Sequence, residues 1–169
     1  MNSTWYALLV KSKKEQMVAG DLELKQIRYL LPTYKVKRQW SDRMKETTQP
    51  LFPGYIFCSI PENEESPKIL TTPGVIRFIS FGKGPTPIPD QEIEMIQALM
   101  ESDRALEPWP YLETGQSVRV EQGPFKGWGG TVVRKKSEAR LVVNLHFLQR
   151  AVSVEMEQDD IVPLNSSLK

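Results

Sequence analysis

Residues that carry chemistry are scarce in this chain. Cys58 is its only cysteine and His146 its only histidine, so no internal disulfide can form and no cysteine-based zinc site can be assembled. Cys58 lies in an apolar run and reads as a buried spectator thiol; His146, among strand residues with no metal-spaced partner, reads as exposed or structurally paired. No Gly-x-x-x-x-Gly-Lys-Ser/Thr loop is present, and Gly82-Lys-Gly-Pro is followed by no helix that could complete a phosphate site. Asp159 and Asp160 are adjacent, which on a strand sends them to opposite faces instead of into one catalytic pair. No apolar run reaches the roughly 18 residues of a membrane helix, and Met1 to Tyr6 lacks the basic start and apolar stretch of a signal peptide. The expectation is a cytoplasmic protein with no enzyme activity, no cofactor, no metal and no membrane association.

What is present suits a globular chain: 169 residues, 40% hydrophobic and 25% charged, are enough for one core or two modest ones. The net charge of +1 conceals a strong asymmetry, with ten Lys and Arg against four Asp and Glu from Lys11 to Lys45, and four against eleven from Glu46 to Glu113. The basic stretch could follow a phosphate backbone or form a solvated face.

Trp5 to Val10 reads as a strand, and Ser12 could cap a helix that carries Glu15 in its first turn and ends before Pro32, with Val18, Leu22, Ile27 and Leu30 as apolar surface. Tyr34 to Gln39 alternates as a half-exposed strand with a cationic face, and Trp40 to Pro50 reads as a polar connection. After a turn at Pro53-Gly54, Tyr55 and Phe57 face one way along a strand and Ile56 and Cys58 the other. Pro61 to Pro67 reads as an acidic turn, Lys68 to Leu70 as a short helical piece, and Gly74 to Phe81 as another alternating strand. A second helix starts at Pro89-Asp90, with Ile93, Ile96, Leu99 and Met100 as its stripe. This order predicts an α+β layer, a mainly antiparallel sheet with helices packed on it.

Ser102 to Thr114, with Glu107-Pro-Trp-Pro-Tyr, has no period and reads as an interdomain linker. Beyond it, residues near Val118, Val132, Leu141 to Leu145, Val152 to Met156 and Ile161-Val162 supply about five short strands, enough for a small barrel. Between the first two, Gly123-Pro-Phe-Lys-Gly-Trp-Gly-Gly forms a loop from which Phe125 and Trp128 should project.

That loop and its strands resemble the KOW motif of small SH3-like β-barrels. Taken with Trp5-Tyr-Ala-Leu-Leu-Val, Leu51-Phe-Pro-Gly-Tyr-Ile-Phe, Thr72-Pro-Gly-Val-Ile-Arg-Phe-Ile and Arg140-Leu-Val-Val, in this order from Trp5 to about Leu164, the chain resembles the NusG family of transcription elongation factors. Trp40-Ser-Asp-Arg, Pro87-Ile-Pro-Asp, Glu107-Pro-Trp-Pro-Tyr-Leu and Leu148-Gln-Arg-Ala-Val are similar to the specialised UpxY-type antiterminators.

The resemblance implies an NGN-like domain over 1–104, a linker over 105–113 and a KOW barrel over 114–169. The first would grip the β′ clamp helices of RNA polymerase through Leu9, Phe52, Tyr55, Phe57, Ile93 and Ile96, with Phe52 exposed by its turn; each of these could equally be ordinary core. Lys11, Lys13, Lys14 and Arg77 would meet the non-template DNA strand of the transcription bubble. Phe125, Trp128, Phe147 and Leu148 would recruit ribosomal protein S10 or the termination factor Rho, although the family's Phe-Gly-Arg turn is Leu148-Gln-Arg150 here. The strand-favouring valines of the barrel argue for a barrel and not a helical refold. The implied function is pause suppression and antitermination. The alternative is a KOW-type RNA-binding protein of the ribosome or translation apparatus, against which stands the single cation, Lys126, between Glu121 and Val133.

Overall fold

The computed structural model describes residues 3–61, 67–111, 115–135 and 138–164. Its elements run β1 (Ser3–Val10), α1 (Glu15–Leu24), β2 (Arg28–Leu30), β3 (Thr33–Gln39), β4 (Met44–Pro50), β5 (Tyr55–Pro61), α2 (Pro67–Leu70), β6 (Val75–Phe78) and α3 (Asp90–Glu101). There follow β7 (Leu106–Trp109), β8 (Gln116–Val120), β9 (Gly129–Lys135), β10 (Glu138–Leu145), β11 (Arg150–Met156) and β12 (Ile161–Pro163). The chain forms two compact units, Met1–Thr33 with Phe52–Ile96, and Tyr34–Leu51 with Gln97–Lys169.

In the first unit a four-stranded sheet has the order β2-β5-β1-β6, in which β1 pairs antiparallel with β5 and β6, and β2 with β5. The register sets Tyr6 opposite Cys58 and Leu8 opposite Ile56, so one face is apolar, and α1 covers it with Val18, Ala19 and Leu22. Ile69 of α2 and Phe78 of β6 complete this core. Cys58 sits inside it, where burial pushes the thiol up to about 12, so it stays protonated and inert near neutrality.

Helix α1 differs from its expected limits at both ends. Lys14, not Ser12, occupies the N-cap position, with no side-chain cap bond. Glu15, buried at the start of the helix, instead accepts a hydrogen bond from the Gly54 N–H at 2.8 Å, tying α1 to the turn before β5. At the other end the helix stops at Leu24, because Gln26 takes a left-handed φ of 58° and Ile27 N–H bonds back to Leu22 O at 2.9 Å. Arg28 to Leu30 is thereby released from the helix and pairs with β5, so Leu30 is strand and not helix surface. The acidic turn after Pro61 lies largely outside the described residues.

In the second unit, β3 and β4 make a two-stranded ribbon, which corrects the reading of Trp40 to Pro50 as a connection. A six-stranded sheet follows, in the order β12-β8-β9-β10-β11-β7. Five of its strands were legible in the valine pattern; β7 was not, since it lies in the expected linker. Leu106 to Trp109 pairs with Val154 to Ala151, and the buried Arg140 reaches both the Ala105 carbonyl and Glu107, so this part of the linker is bound into the sheet. Gly130 is required within β9, because a Cβ there would meet Leu141 Cδ1 and the Val142 carbonyl at 2.7 Å.

The turn between β10 and β11 carries Gln149 at a left-handed φ of 51°, where the resemblance would have placed glycine. A side chain in this region is strained by about 1–2 kcal/mol, partly offset because glycine loses more entropy on folding. Gln149→Gly is expected to stabilise the unit by about 0.5 kcal/mol, raising its melting temperature by roughly 3 °C in a thermal scan. A fall would show that the Gln149 Nε2 bond to His146 O, 2.9 Å long, outweighs the strain.

Candidate functional site

The sheet face turned away from α1 is defined by the register. Leu9 stands opposite Tyr55, Ala7 opposite Phe57 and Trp5 opposite Ser59, so these side chains share one face. On the outer strand, Arg77 stands opposite Leu9, giving a row Arg77–Leu9–Tyr55 across β6, β1 and β5. Leu9 and Tyr55 are half-buried and Arg77 is exposed, so the row combines accessible apolar surface with one cation.

Four of the six residues expected to lie bare on this face are sealed. Phe52 is 3% exposed, Phe57 1%, Ile93 3% and Ile96 1%. Phe52 was expected to be exposed by its turn, but only Pro53 is; the Phe52 ring packs edge-on to Phe57 with centroids 6.0 Å apart. Phe57 lies between Ala7 of β1 and Leu30 of β2. The expectation of an open groove through these four residues is therefore corrected to a narrower surface centred on Leu9 and Tyr55.

The four expected nucleic-acid contacts are all exposed. Lys11, Lys13 and Lys14 occupy the tight β1–α1 loop, in which Lys14 N–H bonds to Lys11 O at 3.0 Å and Lys13 takes a left-handed φ of 63°. Lys11 N–H donates to Gly74 O at 2.8 Å, fastening this loop to the turn that leads into β6 and Arg77. Gly74 has a φ of +94°, and a Cβ there would lie 3.0 Å from Val18 Cγ2 and 3.4 Å from Lys14 Cβ. The sequence motif around Gly74 thus brings the two cationic segments together.

In the barrel unit the expected partner patch separates into surface and core. Phe125 does not project: it is fully buried, under a loop closed by Gly127 N–H to Val120 O at 2.7 Å and Val120 N–H to Trp128 O at 2.8 Å. Trp128 packs on it at 4.9 Å and stays half-buried, as does Phe147, whereas Leu148 is buried. His146 is exposed and its Nδ1 lies 2.7 Å from the Tyr111 hydroxyl, a structural pairing as its sequence context suggested. Among the described residues no group of three or more His, Cys, Asp or Glu could hold a metal, and no helix is long and apolar enough to cross a membrane.

Sequence reasoning missed the buried Arg140 network and the exposed Trp40. The only signal for the first was the unbroken apolar run after Arg140, which marks a strand covered on both faces.

The family model described as "Transcription termination factor nusG" matches residues 3–97. The chain belongs to the NusG family. It is 32% identical over 140 residues to the transcription termination/antitermination protein NusG of Vibrio parahaemolyticus, covering 80% of this chain and 77% of that protein. To the Helicobacter pylori protein of the same name it is 30% identical over 166 residues, covering 90% of this chain and 93% of the relative. The solved structure of Thermotoga maritima NusG superposes with a TM-score of 0.63 over 98% of this chain and 99% of its own, at 22% identity, which bears on the fold. NusG proteins are transcription factors that bind RNA polymerase, not enzymes, so the ribosomal RNA-binding alternative is not supported. The α+β architecture, an N-terminal sheet with helices followed by a strand-rich C-terminal part, agrees with an NGN-like domain and a KOW barrel.

Proposed function

We propose that this chain is an elongation and antitermination factor that docks on the β′ clamp helices of RNA polymerase, suppresses pausing and termination, and recruits a second protein through its barrel. The observation that carries the docking is the cross-strand pair Leu9–Tyr55, an accessible apolar contact on the face that α1 leaves uncovered, within the span matched to the family. Phe52, Phe57, Ile93 and Ile96 would support that contact from beneath. Arg77 and the Lys11, Lys13 and Lys14 loop would neutralise phosphates of the non-template DNA strand.

The working division is 1–104 for polymerase binding and 114–169 for recruitment, with the 105–113 tether shortened by the pairing of β7. Recruitment of ribosomal protein S10 or Rho would use Trp128 and Phe147 at the surface, with Phe125 and Leu148 as their support. The UpxY-type specialisation rests on the sequence wording around Trp40, Pro87, Glu107 and Leu148.

Capture of core polymerase by the full chain tests the docking. Leu9→Ala with Tyr55→Ala is expected to weaken capture about 30-fold, as two truncated anchors of roughly 1 kcal/mol each would. Undiminished capture by a folded double variant would refute the assigned face.

A further inference from the structure

Half of the cations in the basic stretch, Lys35, Lys37, Arg38, Arg43 and Lys45, lie on the β3–β4 ribbon, apart from the face described above. All five are exposed, and the ribbon's end carries two exposed apolar side chains, Trp40 at 57% and Met44 at 61%. Trp40 N–H bonds to Arg43 O at 2.8 Å, closing the turn and placing the Trp40 backbone at the ribbon's tip. Lys45 Nζ sits 5.2 Å from the Trp40 ring centroid, and Arg38, two residues before Trp40, follows the same side of the strand.

The charges are unevenly matched. Lys35 pairs with Glu46 at 3.2 Å and Arg43 approaches Asp42 at 4.0 Å. Lys37, Arg38 and Lys45 make no ion pair among the described residues. Lys37 alternates to the opposite face of the strand, which leaves Arg38 and Lys45 as uncompensated cations beside a large exposed ring, and such a ring would ordinarily be buried.

We propose that the β3–β4 ribbon is a second nucleic-acid site, which takes single-stranded RNA or DNA by stacking one unpaired base on Trp40 while Arg38 and Lys45 neutralise the flanking phosphates. An acidic protein surface would satisfy the cations but gives the indole no planar partner. A duplex backbone would also leave the ring unused. Only an unpaired strand supplies a flat π-face and closely spaced anions together.

The full chain is titrated at low salt with labelled twelve-nucleotide single-stranded RNA, single-stranded DNA and duplex DNA, reading anisotropy and tryptophan emission. One or both single strands should bind, which separates the two sources, and should quench tryptophan emission. Trp40→Ala should weaken binding about tenfold and abolish most of the quenching, while Trp40→Phe should restore much of the affinity. Arg38→Ala with Lys45→Ala should lower the slope of log affinity against log salt by about 1.4. A combined Lys11, Lys13 and Lys14 to Ala variant tests the separate loop of the first unit. The proposal fails if duplex binds as tightly as single strands, if no oligonucleotide binds, or if only the loop variant lowers affinity.

Discussion

Arg140→Ala is expected to cost the barrel unit about 3–5 kcal/mol, a large fraction of the roughly 5–15 kcal/mol that holds a domain together. The side chain is only 5% exposed and is satisfied on every side. Its Nε donates to Ser153 Oγ at 2.9 Å and pairs with Glu107 Oε1 at 3.2 Å, while Nη2 donates to the carbonyls of Ala105 at 3.0 Å and Ser153 at 3.3 Å. Truncation leaves Glu107, itself largely enclosed, and two carbonyls facing the space the guanidinium filled. A lysine would not repair this, since one ammonium cannot donate along a planar fork to β7 and β11 together. Hydrogen exchange on the full chain would locate the damage: amides of Leu106 to Trp109 should lose protection first, followed by β10 and β11. Arg140→Met with Glu107→Leu should recover part of the loss, because removing both charges lifts the penalty of an unpaired one. Destabilisation by Arg140→Ala below about 1 kcal/mol would show that the network is incidental.

The same network explains why part of the fold could not be read from the sequence. Leu106 to Trp109 carries a proline and no alternation; it is a strand because β11 offers an edge and Arg140, 35 residues on, fixes Ala105. β4, Met-Lys-Glu-Thr-Thr-Gln-Pro, lacks the apolar alternation that announces a strand and exists because β3 lies beside it. The end of α1 is set by a left-handed glutamine, a conformation glycine or asparagine would have advertised and Gln26 does not. Where a face was decided by period, reading succeeded: the opposition of Tyr55 and Phe57 to Ile56 and Cys58 is present in the register, as are the five valine-rich strands of the barrel.

Exposure was harder to read than direction. Lys11, Lys13, Lys14 and Arg77 were placed correctly at the surface because charges on loops and edges have nowhere cheaper to go. Phe52 and Phe125 were misplaced for one common reason. Each sits in a Pro/Gly turn, and a turn fixes where the backbone goes without fixing where a large ring goes; both rings fold back, Phe52 onto Phe57 and Phe125 beside Trp128. The proposed docking face therefore has two layers, a buried aromatic floor and a thinner accessible surface.

Those layers separate in a comparison of neighbouring residues on one strand. Phe57→Ala should destabilise the first unit by about 3–5 kcal/mol, as truncation of a fully buried aromatic leaves a cavity that its neighbours only partly fill. The edge-on contact with Phe52, 6.0 Å between centroids at 84°, is lost with it. Tyr55→Ala, at a half-buried position two residues earlier, should lower melting far less while sharply reducing capture of polymerase. Phe57→Leu supplies the control: it keeps most of the volume, so both the fold and polymerase capture should survive near their original levels. If Phe57→Ala instead left the melting temperature unchanged and abolished capture alone, the ring would be a contact and not a floor. The sealed aromatic layer would then have to open before the factor engages its polymerase, and Leu9 and Tyr55 would be the rim of the site, not its centre.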